Sequence, residues 1–264
     1  MKVALLITTY NWIEALKKCL DSVREQTLMP DEIVIADDGS SEDTKQFIDS
    51  YRQYFSCPLI HSWQEDKGFR AARSRNKAIS KLTADYVVII DGDIILHRNF
   101  IADHVLKAKD NQFISGRRVR LGEEYSKELA ATNDYVTPNV FSTGIYRGRE
   151  HGIRSALLSK ISSSVSYDSS SIHSCNMSFW RKDLIKVNGF NADFIGWGAE
   201  DKELCERLFA CGIKSNKLKF LAVQYHLHHP ESDRHLMQVN ADIHEATKKN
   251  KLKRCENGLN EFIG

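Results

Sequence analysis

Residues 86–93 read Tyr-Val-Val-Ile-Ile-Asp-Gly-Asp, and the fold turns on how that octet is understood. A continuous apolar run of mostly β-branched residues, stopped by a turn-forming Asp-Gly, predicts a strand buried on both faces. The same pattern recurs toward the N-terminus. Residues 2–7 (KVALLI) and 32–36 (EIVIA) are further apolar runs, the second stopped by Asp37-Asp38-Gly39-Ser40, and another lies near 59–62. Between them Ala15, Leu16, Cys19, Leu20 and Val23 recur at helical spacing, as do Ala71, Ala72, Arg75, Ala78, Ile79 and Leu82. A polar helix is expected over 42–54. Strands alternating with helices, the strands continuously apolar, predict an α/β fold: a mostly parallel central sheet with helices on both faces.

In such sheets ligands bind beyond the carboxyl ends of the strands. Three polar clusters fall at those ends: Thr8-Thr9-Tyr10-Asn11, Asp37-Asp38-Gly39-Ser40 and Asp91-Gly92-Asp93. Together they outline one site. The second half is less regular. Residues 112–119 predict a fifth strand, and the serine-crowded stretch 155–174 a mobile surface loop, either a lid or a plain connection. A helix is expected from about Gly198. Residues 219–227 read as a last strand, running into His226-Leu227-His228-His229-Pro230. From Glu231 the chain is polar and helical to a cationic end at Lys248, Lys249, Lys251, Lys253 and Arg254.

Composition narrows the class. The 264 residues carry 37 Lys+Arg against 35 Asp+Glu, a formal net charge of +2. A dedicated nucleic-acid binder carries a marked basic excess, so no nucleic-acid partner is expected. With 42% hydrophobic and 27% charged residues, and only 4 Pro and 14 Gly, the chain is an ordinary globular one. Its 6 cysteines show no C-x-x-C spacing, which fits reduced thiols in a cytoplasmic protein rather than a zinc or redox site. The N-terminal apolar run lacks a small-residue cleavage site, and no stretch has the length of a membrane span. The expected location is cytoplasmic, with peripheral contact at the inner membrane face left open by the cationic C-terminal end. That end also complements a helix dipole. G-x-G-x-x-G, the P-loop pattern and G-x-S-x-G are all absent.

Four groups of residues suggest chemistry. Asp91 and Asp93 place two carboxylates at a strand end, the donor type that Mg²⁺ or Mn²⁺ prefers. A simple turn is the competing account, but the neighbouring polar strand ends favour the cation. His226 and His228, two apart in an extended segment, point to one face and can reach one ion, whereas His229 faces away. Glu200 and Asp201 sit in the first turn of a helix, where the dipole favours ionised carboxylates, whether for stability or for a general base. Before them Trp197, between Gly196 and Gly198, offers a flat apolar platform for a sugar ring. The basic run 67–77, which includes Arg70 and Arg75, opens a helix against its dipole. A bound phosphate explains that placement, and so in large part does a solvated face.

Taken together, these residues resemble the family 2 glycosyltransferases with the GT-A fold. The matching motifs are TTYN, DDGS, the Q-x-x-x-G-F-R-A-A-R-x-R-N stretch from Gln64, and DGD. The segment NMSFWRKDLIKVNGFNADFIGWGAEDKELCERL is similar to the acceptor side of β-1,4-galactosyltransferases and of chondroitin-type polymerases. Ala199 departs from the pattern, where a second glycine is usual. The resemblance implies a single catalytic domain over 1–230, with a nucleotide-sugar donor half (1–120) and an acceptor half (121–230), followed by a helical tail (231–264). It implies inverting, metal-dependent transfer of a hexose or N-acetylhexosamine from a UDP-sugar to a saccharide or glycolipid acceptor, in bacterial polysaccharide or lipopolysaccharide assembly. Thr8, Tyr10 and Asp38, with Arg70 or Arg75, then serve the nucleotide, and Asp91 and Gly92 lie near the ribose. Asp93, His226 and His228 hold Mn²⁺ or Mg²⁺. Asp201 acts as base with Glu200 positioning the acceptor, and Trp197 and Gly198 bind it. A sugar nucleotidyltransferase and a non-catalytic sugar- or nucleotide-binding protein are the alternatives.

Overall fold

The computed structural model describes residues 1–170, 172–230 and 233–263. Ser171 of the serine-rich stretch and the expected domain boundary at Glu231 lie outside the described residues. In chain order the elements are β1 (Val3–Thr9), α1 (Ile13–Arg24), β2 (Glu32–Asp37), α2 (Glu42–Tyr51), β3 (Leu59–Trp63), α3 (Ala71–Ser80) and β4 (Tyr86–Asp91). There follow β5 (Ile94–Leu96), α4 (Phe100–Lys107), β6 (Gln112–Ser115), β7 (Val119–Leu121), α5 (Glu123–Ala131), β8 (Ile145–Arg147), α6 (Ala156–Ser162) and β9 (Ser164–Ser166). The chain continues with β10 (Met177–Trp180), α7 (Arg181–Lys186), α8 (Glu200–Ala210), β11 (Lys214–Lys217), β12 (Gln224–His226) and α9 (Met237–Asn250).

The large sheet has the order β3-β2-β1-β4-β10-β6-β11-β9. Its first four strands are parallel, β10 runs antiparallel to β4 and β6, β11 is parallel to β6, and β9 closes the edge antiparallel. Alternation along each strand divides the side chains between two faces. Leu5, Ile7, Ile33, Ile35, Val88 and Ile90 pack with Leu16 and Leu20 of α1. Leu6, Val34, Val87 and Ile89 pack on the other face with Ile79 of α3 and Leu204 and Leu208 of α8. Each such side chain removed from water contributes about 1.5–3 kcal/mol, so helices on both faces are obligatory.

Register levels the strand ends. Thr8 pairs with both Ala36 and Asp91, and Thr9 with Asp37. Gly92 then turns tightly over β1: its N–H donates to the Thr8 carbonyl at 2.7 Å, and a Cβ there would stand 3.0 Å from that oxygen. A second sheet, β5-β12-β7-β8, packs Ile95, Val119, Leu121, Tyr225 and Leu227 into a smaller cluster of its own.

The second half differs from the sequence expectation at several points. Residues 112–119 form no single strand, because the chain leaves the large sheet at Gly116 and enters the small one at Val119. A Cβ on Gly116 would collide with the Asn176 side chain at 2.3 Å, so only glycine admits that approach. The stretch 155–174 is no plain loop. Ser155 caps α6 by accepting from the Leu158 N–H at 3.3 Å, and β9 pairs with β11 at the sheet edge. Only Gln224–His226 of the expected strand over 219–227 is extended, since Phe220 and Ala222 have positive φ of 59° and 48°. The C-terminal helix α9 is docked: the Thr247 hydroxyl donates to Glu203 at 3.0 Å and Asn240 Nδ2 to the Ile195 carbonyl at 3.0 Å. The six cysteines are unpaired.

Candidate active site

A cleft of about 1150 Å³ opens at the carboxyl ends of β1, β2 and β4, bounded beyond them by the small sheet and the start of α8. Every residue to which the resemblance gives a role lines it except Arg70. The Arg70 guanidinium turns away to the Glu65 carbonyl at 2.6 Å, and only its backbone N–H serves the site, donating to Asp38 Oδ2 at 2.7 Å. Gln64 holds the other Asp38 oxygen. Burial pushes the Asp38 carboxyl up, and these two donors pull it back. Asp37 instead supports the turn, accepting from the Ser40 N–H at 2.8 Å with its second oxygen against His61 Nε2 at 2.8 Å. Tyr10 stands half-exposed at the rim, its hydroxyl donating to Asp66 at 2.9 Å.

Arg75 of α3 is the central cation, with its side chain only 4% exposed. Nε donates to Thr8 Oγ1 at 3.1 Å, Nη1 to Glu200 Oε1 at 3.1 Å, and Nη2 to Asp91 Oδ1 at 3.4 Å and Ser174 Oγ at 3.3 Å. Its Cζ lies 5.3 Å from the Phe190 ring centroid. Arg73 pairs with Glu261. Protein carboxylates therefore supply the anions that the basic run calls for. Burial raises the Asp91 carboxyl, Arg75 opposes that, and the Asp93 charge adds to the rise.

Asp93 has no arginine. Its Oδ1 is buried without a hydrogen-bond partner; His226 Nε2 lies 3.5 Å from Oδ1 and His229 Nε2 3.5 Å from Oδ2. One donor atom from each of the three lies within 4.8 Å of the others. The Nδ1 of His226 faces the Leu227 carbonyl at 2.9 Å, and that of His229 the Pro230 carbonyl at 2.7 Å. A ring nitrogen against a carbonyl oxygen must carry the proton, so in the neutral imidazoles both Nε2 lone pairs point toward a carboxylate. Lone pairs facing a carboxylate repel it unless a cation sits between them, and a two-imidazole, one-carboxylate donor set suits Mn²⁺. The residues present fit a divalent metal.

The histidine arrangement corrects the sequence expectation. His229, not His228, joins His226 and Asp93. Two-residue alternation holds only in extended backbone, and β12 ends at His226. His228 lines the cleft elsewhere, its N–H donating to Ser126 Oγ at 2.8 Å.

Glu200 and Asp201 occupy the first turn of α8, a helix anchored below by the fully buried Arg207–Glu203 pair. Its first residue follows Ala199, which adopts a left-handed φ of 68°. The Ser174 N–H donates to Asp201 Oδ2 at 2.9 Å, and the Lys202 N–H to Oδ1 at 2.7 Å. Desolvation, with the neighbouring Glu200 charge, pushes the Asp201 carboxyl up to about 7. Trp197 is 42% exposed at the rim, with the Arg234 guanidinium 4.9 Å from its ring centroid. Sequence reasoning missed Arg118, Arg120, His173 and Lys202 in the lining. The alternation of Arg118 and Arg120 around Val119 was the available signal.

The chain matches the model of "Glycosyl transferase family 2" over residues 4–185 and that of "N-terminal domain of galactosyltransferase" over 156–230. It belongs to glycosyl transferase family 2. Among similar proteins, validoxylamine A glucosyltransferase of Streptomyces hygroscopicus subsp. limoneus is 28% identical over 80% of this chain and 48% of its own length. The chondroitin synthase of Pasteurella multocida is 27% identical over 80% of this chain and 23% of its own. The chain thus spans half or less of these relatives. Among solved structures, the mannosyltransferase PcManGT from Pyrobaculum calidifontis, in complex with GDP-Man and Mn²⁺, superposes with a TM-score of 0.60 at 18% identity, covering 95% of this chain and 63% of that one. S. aureus TarS 1-349 in complex with UDP-GlcNAc gives 0.58 at 16% identity, over 88% and 60%. The fold is that of the GT-A glycosyltransferases. Among the described residues no helix is long and apolar enough to cross a membrane.

Proposed function

We propose that this enzyme transfers a hexose or N-acetylhexosamine from a UDP-sugar to a saccharide hydroxyl, with inversion and with the help of Mn²⁺ or Mg²⁺. The observation that carries this reading is the division of labour around Arg75. One carboxylate of each pair is bound to it, which leaves Asp93 to the two imidazoles and Asp201 to backbone N–H groups. A bound divalent cation would be held by Asp93, His226 and His229, and supplies Lewis-acid stabilisation of charge on the leaving diphosphate. Thr8, Tyr10 and Asp38 receive the base, and Asp91 with Gly92 the ribose. Arg75 places Asp91 and opposes the rise that burial gives its carboxyl.

Asp201 takes the acceptor hydroxyl proton as that oxygen attacks the anomeric carbon. A carboxylate poised near neutrality matches the requirement of a general base, and its two backbone donors fix its direction. Glu200, tied to Arg75, orients the acceptor beside it. Trp197 and Gly198 form the acceptor platform. The UDP-GlcNAc complex of TarS supports a uridine donor, and the chondroitin synthase relative a saccharide acceptor in polysaccharide assembly. Residues 1–230 act as one catalytic unit on the cytoplasmic side.

Calorimetric titration of UDP and GDP, with Mn²⁺ and with EDTA, tests the reading. UDP binding that requires both the metal and Asp93, and is lost in Asp93→Ala, is expected. GDP binding in place of UDP overturns the donor, and metal-independent binding overturns the role of Asp93.

A further inference from the structure

We infer that His104 and Asn176, neither of which lines the cleft, are positioning residues for Asp201. Through a buried chain of hydrogen bonds that starts at Tyr86, they fix the turn whose Ser174 N–H holds that carboxylate. Their role rests on the reading of Asp201 as the base.

Tyr86, His104, Asn176 and Ser178 are at most 1% exposed. The Asn176 side chain meets the carbonyls of Arg117 at 2.7 Å and Ala222 at 3.0 Å, and His104 Nε2 at 3.0 Å. Carbonyls only accept, so Nδ2 faces them and Oδ1 takes a hydrogen from Nε2. A neutral imidazole then accepts at Nδ1, where the Ser178 hydroxyl lies at 2.7 Å. The Ser178 oxygen in turn receives the Tyr86 O–H at 2.7 Å. Desolvation pushes the His104 imidazole down to about 4, so it stays neutral near pH 7. Each hydrogen has its acceptor, and the chain runs in one direction from Tyr86 to the two carbonyls. Apolar groups of the same shape fill such a space at nearly equal stability. What a fully satisfied polar network adds is a single arrangement.

That arrangement is passed to the cleft. Asn176 ends the turn Ser174–Asn176, and its own carbonyl accepts from the Gly116 N–H at 2.8 Å. Ser174, two residues earlier, donates its N–H to Asp201 Oδ2 at 2.9 Å, and its hydroxyl accepts from Arg75 Nη2 at 3.3 Å. Ala222 is gripped from both sides, since its N–H donates to Asp103, the neighbour of His104 in α4, at 3.0 Å. Desolvation and the adjacent Glu200 charge raise the Asp201 carboxyl; the Lys202 N–H, the Arg75 charge from α3 and the Ser174 N–H lower it. His173 in the turn, and Lys202 and Cys205 on α8, also stand near it. A displaced Ser174 therefore costs Asp201 one of two backbone donors and raises its affinity for a proton.

The test follows the Asp201 carboxyl by NMR, its signal assigned by its absence from Asp201→Asn. In the wild type it is expected to titrate with a midpoint of about 7. His104→Leu and Asn176→Ala should move that midpoint up by about one pH unit, roughly the worth of one charge-assisted hydrogen bond. On the acid side of the midpoint kcat/KM should fall about tenfold with it. Ser178→Ala, the change least able to disturb folding, should move the midpoint the same way by less. Ile48→Ala, a core change in α2, is the stability control and should leave the midpoint where it is. An unmoved midpoint in folded His104→Leu and Ser178→Ala overturns the positioning role, and so does an equal movement in Ile48→Ala. Midpoints that move while Asp201→Asn keeps its kcat leave the positioning role standing and break the reading of Asp201 as the base instead.

Discussion

Two carboxylate pairs face the same cleft and are built on different principles. Asp91 and Asp93 flank a glycine at the end of β4, two residues apart, whereas Glu200 and Asp201 are adjacent in the first turn of α8. Arg75 takes one acid from each pair and so ties the strand end to the helix start. The remaining acids diverge. Asp93 meets two imidazoles and has a buried oxygen without a hydrogen bond, an environment suited to a cation. Asp201 is desolvated beside the Glu200 charge, which raises its affinity for a proton, while two backbone donors and the more distant Arg75 charge oppose that rise. One arginine thereby separates the donor set proposed to hold a metal from the carboxylate proposed to take a proton. Two carboxylates become different reagents through their surroundings.

The sharpest break of this comparison is Asp201→Asn, expected to lower kcat by roughly three orders of magnitude with UDP–Mn²⁺ affinity unchanged, as loss of a general base requires. Steady-state kinetics beside calorimetry checks it, and a larger kcat loss in Glu200→Gln would exchange the two roles. Arg75→Gln leaves two carboxylates without their buried partner and should cost about 3 kcal/mol in urea unfolding. Arg75→Lys should not restore it, because one ammonium cannot reproduce the forked contacts. His229→Ala should weaken Mn²⁺ binding by roughly 10- to 100-fold, the range that even indirect supports of a metal site command. His228→Ala should leave Mn²⁺ affinity unchanged in the same fluorescence or calorimetric titration, and a reversed pattern would restore the two-residue spacing.

The mildest effect is on pH dependence. Asp201 binds its proton more tightly folded, to about 7, than an unfolded aspartate at about 3.9 does. Its contribution to stability therefore declines as pH rises between those values and levels off above them. Melting temperatures of the wild type should fall relative to Asp201→Asn over that window, while kcat/KM of the wild type rises through about pH 7.

The N-terminal half was legible in the sequence because its strands are uninterrupted apolar runs and its polar residues sit where those runs stop. Once strands 2–7, 32–36 and 86–90 are aligned, Thr8, Asp38 and Asp91 must converge. The small sheet was not legible. Its strands are three residues long, and the shift from β6 to β7 depends on Gly116 meeting Asn176, a contact 60 positions apart in the chain. The same shortness misdirected the histidines, since alternation was extended past the end of β12. The partners of Arg75 were invisible for another reason: charge in a helix face does not say whether a protein acid or a ligand will neutralise it.

Ala199 has a consequence for how such enzymes diversify. An L-residue in the mirror-image backbone well costs about 1–2 kcal/mol, and glycine would relieve that. Glycine would also widen the unfolded ensemble, at a cost of about 0.4–1 kcal/mol. The first effect is the larger, so glycine would be the more stable residue here by roughly 1 kcal/mol. Ala199 borders the cleft, so its methyl group, held at that cost, takes up space that glycine would leave to whatever molecule must pass or rest there.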